Sequence, residues 1–149
     1  MGFDKIKKSL EARIQNRASR NFERTRYGKK LALLKDSHKG EKCFIIGNGP
    51  SLLVEDLEKL QKNGIITFAT NRIFKIFEKT VWRPTYYVSE DILLMKDAQK
   101  IIRDMEVEGR FIPINLKWYE SVDIPNADYF YIEYEEPMKE NFGLSVDIP

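Results

Sequence analysis

At 149 residues, with 42% hydrophobic and 32% charged side chains, the chain suits one globular domain or part of a larger protein. A single cysteine, Cys43, excludes a disulfide framework, and no apolar run approaches the roughly 20 residues that a membrane span needs. The formal net charge of +2 hides an asymmetry: residues 1–42 carry 13 Lys/Arg against 5 Asp/Glu, a net of +8, and residues 43–149 carry 12 against 18, a net of −6.

Residues 1–37 read as a basic helical segment. Phe3, Ile6, Leu10, Ile14, Ala18 and Phe22 recur at helical spacing, with Lys7, Lys8, Arg13, Arg17, Arg20 and Arg24 between them. Such a helix packs on its own domain or a sister subunit in an oligomer, or makes peripheral contact with an anionic membrane surface. Nucleic acid is not expected as a partner, because no aromatic interleaving or recognised binding motif accompanies the charges. A second short helix is predicted over Gly28 to Lys35, and Ser37-His38-Lys39-Gly40 leads into the first strand. With no apolar core of a signal peptide and no disulfides, the protein is expected to be cytoplasmic.

Residues 38–149 read as one α/β domain. Cys43 to Ile46 is a short apolar run of the kind found in buried strands, so Cys43 is expected to act as a small buried hydrophobe. The run ends in Gly47-Asn48-Gly49-Pro50-Ser51. Without Cβ atoms, Gly47 and Gly49 permit a tight turn and the close approach of a ligand. Pro50 suits the first turn of a helix and Ser51 can cap it, which predicts an anion-binding strand–loop–helix. Leu52 stands where the dinucleotide fingerprint needs its third glycine, and no Gly-Lys-Ser/Thr follows, so neither that fingerprint nor a P-loop is present. The plain alternative is a tight turn between strand and helix.

Further elements follow in alternation. Val54 to Lys62 is a helix stopped by Asn63-Gly64, and Ile65 to Ala69 is a strand ending at Thr70-Asn71. Arg72 to Lys79 is predicted helical, Thr85 to Val88 a third strand, and Ile92 to Glu106 a longer helix after Ser89-Glu90-Asp91. Phe111 to Ile114 makes a fourth strand and Tyr129 to Ile132 a fifth. The order predicts a Rossmann-like parallel sheet with flanking helices, preceded by the basic amphipathic helix.

Ligands of open α/β sheets sit beyond the carboxyl ends of the strands. Those ends carry Gly47, Asn48 and Gly49, then Asn71, then Ser89, Glu90 and Asp91, then Asn115, all suited to bonding phosphate, ribose or base. Asn71 and Asp91 have an alternative as helix N-caps. Glu90 and Asp91 are a weak metal pair, because adjacent side chains diverge. His38 precedes the first strand, away from these ends, and no acid–base catalyst stands out. Trp82 to Tyr87 and Asn115 to Tyr119 are aromatic-rich and suit core packing or a pocket wall.

The strings Phe44–Leu52, Thr70-Asn71-Arg72-Ile73 and Trp82–Asp91 together resemble the DUF115 family of bacterial polysaccharide gene clusters. That family is grouped with archaeal 6-hydroxymethylpterin diphosphokinase (MptE-like) proteins. The first two strings are also similar to the sialyltransferases of glycosyltransferase family 42. The resemblance spans roughly residues 38–120 and implies that the chain corresponds to an N-terminal half. It implies a nucleotide-sugar donor, with CMP-sugar the sialyltransferase case. Gly47, Asn48, Gly49, Pro50 and Ser51 would then line phosphate and ribose, with Asn71 on the nucleotide and Ser89 a looser match. The diphosphokinase branch implies ATP and Mg²⁺ instead. A non-catalytic binding module is the third alternative.

Overall fold

A computed structural model describes residues 20–132, together with Ile6, Ser9, Leu10, Arg13 and Arg17. Those five positions are helical, as is Arg20. The rest of the expected N-terminal amphipathic helix lies outside the described residues, as does everything after Ile132. No helix among the described residues is long and apolar enough to cross a membrane.

The elements alternate as expected. After a 3-10 turn at Phe22–Arg24 come α1 (Arg26–Ala32), β1 (Cys43–Ile46), α2 (Val54–Lys62) and β2 (Ile66–Thr70). A 3-10 segment (Asn71–Ile76) leads toward β3 (Tyr86–Val88), followed by α3 (Ile92–Asp104), β4 (Gly109–Pro113), α4 (Ile114–Tyr119) and β5 (Asp128–Phe130). All neighbouring strands are parallel, and they lie in chain order from β1 to β5.

That order fixes what covers each face. Parallel crossovers are right-handed almost without exception, so four of them stepping in one direction deliver their connecting helices to one face. This face holds the core: Ile46, Ala69, Tyr87, Ile112 and Tyr129 point into it from the five strands, all buried. Leu57, Ile73, Leu94, Ile102 and Leu116 meet them from the connecting segments. Each such side chain contributes on the order of 1.5–3 kcal/mol by leaving water. Trp82, 1% exposed, belongs to this core.

The second face is partly covered by the N-terminal part of the chain, and Ile45 at its β1 side stays exposed. α1 packs along β5, with Lys30 Nζ 2.8 Å from Asp128 and the Tyr27 ring edge-on to Tyr129. The turns of residues 33–40 then cross the face to reach β1 at the opposite edge. They lie over an aromatic group of Phe68, Tyr86 and Phe111, whose ring centres are 4.9–6.0 Å apart. His38 Nε2 sits 2.6 Å from Tyr86 Oη and pins the crossing segment to the middle strand.

Three expectations change. Cys43 is exposed, as are Phe44 and Ile45, because β1 is an edge strand and only Ile46 reaches the core. The predicted helix at Gly28–Lys35 ends at Ala32 and yields to turns. The fourth strand stops at Pro113, and Ile114 begins α4, so the segment Asn115–Tyr119 is helical. Asn115 is 8% exposed, and its side-chain amide clasps the Ile132 backbone, donating to the carbonyl at 3.0 Å and accepting from the N–H at 3.2 Å.

Candidate functional site

The loop after β1 departs from the anion-binding strand–loop–helix pattern in one respect. α2 begins only at Val54, with Leu53 in the capping position and no side-chain cap. Pro50 and Ser51 therefore neither open nor cap the helix. They form a turn closed by the Leu52 N–H donating to the Gly49 carbonyl at 3.1 Å, with Pro50 at the position where its fixed φ helps most. Glu55 and Asp56 occupy the first turn of α2 and meet the positive end of its dipole, so that helix end offers little to an external anion.

The two glycines are not demanded by the backbone. Neither has a positive φ. A Cβ at Gly47 would meet nothing within 4 Å, and one at Gly49 only Ser51 Oγ at 3.8 Å. The protein leaves this space unfilled, and a ligand can occupy it. The Asn48 side-chain amide crosses to the next strand end, donating to the Thr70 carbonyl at 2.9 Å.

At the end of β2, Asn71 takes a left-handed conformation, φ 48°, one that asparagine tolerates better than most residues. It is held from β3 in two places: the Tyr87 hydroxyl donates to its carbonyl at 2.8 Å, and the Ser89 hydroxyl to its Oδ1 at 3.1 Å. Burial pushes the Tyr87 hydroxyl up to about 12, so it remains a donor at neutral pH. Asn71 does not cap a helix. Thr70 has the capping position, without a side-chain cap, and the Asn71 side chain is taken by Ser89.

Where a helix over Arg72–Lys79 is expected, the chain forms a 3-10 stretch over Asn71–Ile76 that kinks at Arg72. Residues three apart share a side of a 3-10 helix. Ile73 and Ile76 form one such pair, with Ile73 buried in the core. Arg72, where the segment kinks out of helical geometry, Lys75 and Lys79 line a groove of about 440 Å³ together with Ile73 and Ile76. Across the groove lie Asn48, Gly49, Pro50 and Leu52. No acidic residue is among the described residues that line it. Sequence reasoning missed all three cations; their spacing of three and four residues was the available signal.

The β3 end behaves differently. Ser89 is buried and committed to Asn71. Asp91 is the N-cap of α3, accepting from the Leu94 N–H at 2.9 Å, so its capping alternative is the one observed. Glu90 is exposed and outside the groove. Among the described residues, no group of three His, Cys, Asp or Glu side chains is placed to hold a metal ion. The structure thus brings Asn48, Gly49 and Pro50 together with Arg72, and ties Asn71 and Ser89 beneath them. His38 stands apart, on the second face of the sheet.

No family model matches the chain, and neither a curated protein nor a solved structure is similar to it at a significant level.

Proposed function

We propose that the groove at the carboxyl edge of β1 and β2 binds a nucleotide-sugar, and that the chain is the donor-binding part of a glycosyltransferase-like enzyme of surface polysaccharide synthesis. The observation that carries this reading is the pairing of two walls. One is a loop whose glycines leave space that no described residue fills; the other is a row of cations with no carboxylate of a described residue in their groove. Phosphate is the ligand group that fits both, since it needs close backbone approach and positive charge. The motif resemblance to DUF115 proteins and family 42 sialyltransferases supplies the nucleotide and the sugar.

In this reading Asn48, Gly49 and Pro50 bound the ligand on one side and Arg72 on the other, with Asn71 fixing their separation. Group transfer needs the donor held in one pose and the leaving phosphate stabilised as negative charge develops on it, which a preorganised cationic wall supplies.

Calorimetric titration of CMP, CTP, UDP, GDP and ATP, each with and without Mg²⁺, tests the proposal. Selective binding of a nucleotide that also donates sugars supports it. Binding of ATP alone, dependent on Mg²⁺, replaces it with the diphosphokinase reading. Silence across the panel removes the nucleotide and leaves a non-catalytic module.

A further inference from the structure

We infer that Arg72, Lys75 and Lys79 form a recognition wall for a diphosphate group, so that the donor is a nucleoside diphosphate sugar rather than a CMP-sugar. The inference rests on reading the groove as the nucleotide-sugar site and specifies which class of nucleotide-sugar enters it.

Charge is the first argument. Among the described residues, Lys30, Lys59, Lys96 and Lys117 each face a carboxylate. Arg72, Lys75 and Lys79 form no ion pair with a described residue, as is also true of exposed lysines such as Lys62; what sets the three apart is that they share one groove with no acid among its described lining residues. Three cations gathered on one wall repel each other unless an anion joins them. A single phosphate can bridge two cations; a CMP-sugar presents one phosphate, whereas a nucleoside diphosphate sugar presents two adjacent ones, which together can occupy the whole row of three.

Geometry is the second. Arg72, at the kink of this segment, and Lys75, three residues on, both line the groove, where two long side chains can close onto neighbouring phosphates. Their backbone is held from beneath. Ile73 is 2% exposed, Phe74, Ile76 and Phe77 pack against the core, and the Lys79 N–H donates to the Ile76 carbonyl at 2.9 Å. The backbone that carries the row is thus anchored before the ligand arrives, which limits the ordering cost of binding to the side chains. The facing loop adds no Cβ at Gly47 or Gly49 to keep the phosphates away.

The test is titration of the 149-residue chain with inorganic pyrophosphate and with orthophosphate, at an ionic strength of about 0.15 M to screen diffuse attraction. It is repeated on a Lys75→Ala/Lys79→Ala double variant and on a Lys75→Arg/Lys79→Arg double variant. The expected result is pyrophosphate binding about tenfold or more tighter than orthophosphate, a loss of about tenfold or more in the alanine variant, and near-complete retention in the arginine variant. Both variants should melt like the parent chain, since these side chains are exposed. Equal affinity for the two ions, no pyrophosphate binding, or binding untouched by the alanine changes would each overturn the diphosphate wall. Pyrophosphate binding without binding of any nucleotide would overturn the nucleotide-sugar reading and leave the wall standing. Nucleotide binding that survives the alanine changes undiminished would do the reverse.

Discussion

At the end of β1, among the described residues, the glycine loop holds space that nothing enters, and the cations facing it across the groove have no carboxylate partner. At the end of β3, on the same edge of the same sheet, the polar side chains are spent. Ser89 is buried against Asn71, and Asp91 closes the first turn of α3. Polar residues at strand ends therefore divide into those that hold the edge together and those left for a ligand. What separates them is whether a protein partner already satisfies them, and substitutions on the two sides should give opposite signatures.

The largest effect is expected at the open side. Gly49→Val places branched carbons where a ligand must come and where the protein has only Ser51 Oγ nearby, at 3.8 Å from an added Cβ. Nucleotide or pyrophosphate binding should be lost in titration while the melting temperature stays unchanged. A variant that binds normally would remove the loop from the site.

Asn71 joins the two sides and should show both signatures. Asn71→Ala leaves the Ser89 hydroxyl without its acceptor and puts alanine at φ 48°, which together cost about 2 kcal/mol of stability in denaturant unfolding. Asn71→Gly relieves the strain and should recover part of the loss. Binding should weaken in both, because the Arg72 backbone follows directly from this residue.

The closed side should affect stability alone. Asp91→Ala removes the cap of α3 at a cost of about 1 kcal/mol, with nucleotide affinity unchanged. A drop in affinity without a drop in stability would move Asp91 into the ligand site.

Tyr87→Phe is the smallest change at neutral pH, about 1 kcal/mol for the lost bond to the Asn71 carbonyl. Its clearer signature is alkaline. The Tyr87 hydroxyl is pushed from 10.0 to about 12 by burial. Folding therefore favours its protonated form: the contribution is complete below pH 10 and is lost as pH rises toward 12. Tyr87→Phe should flatten that part of the stability profile. Tyr129, also raised to about 12 by burial, should keep its own share.

Much of this architecture is readable in the residues. Alternating apolar runs and helical periodicities place five parallel strands and the main helices, since period 2 and period 3.6 are local properties. The glycine loop and Asn71 are legible as members of one edge because parallel strands end together. Edge position is not legible: Cys43–Ile46 has the apolar character of a central strand, and only the strand order shows that it has one neighbour. The start of α4 at Ile114 is hidden for a related reason, because Ile112, Ile114 and Leu116 suit either element. Arg72, Lys75 and Lys79, spaced i, i+3 and i+7, share one face of an α-helix as well; they were missed because nothing in the sequence shows that this face meets the loop after β1. Asp91 could be read as cap or ligand from sequence, and only the Leu94 N–H bond decides it.

The most direct test of the central claim is amide chemical-shift mapping on isotope-labelled chain titrated with the nucleotide panel. The account predicts shifts concentrated at Asn48, Gly49 and Leu52 and at Arg72 to Lys79, with His38 and Tyr86 on the second face unmoved. Shifts centred on the aromatic group of Phe68, Tyr86 and Phe111, or no shifts with any nucleotide, would contradict it.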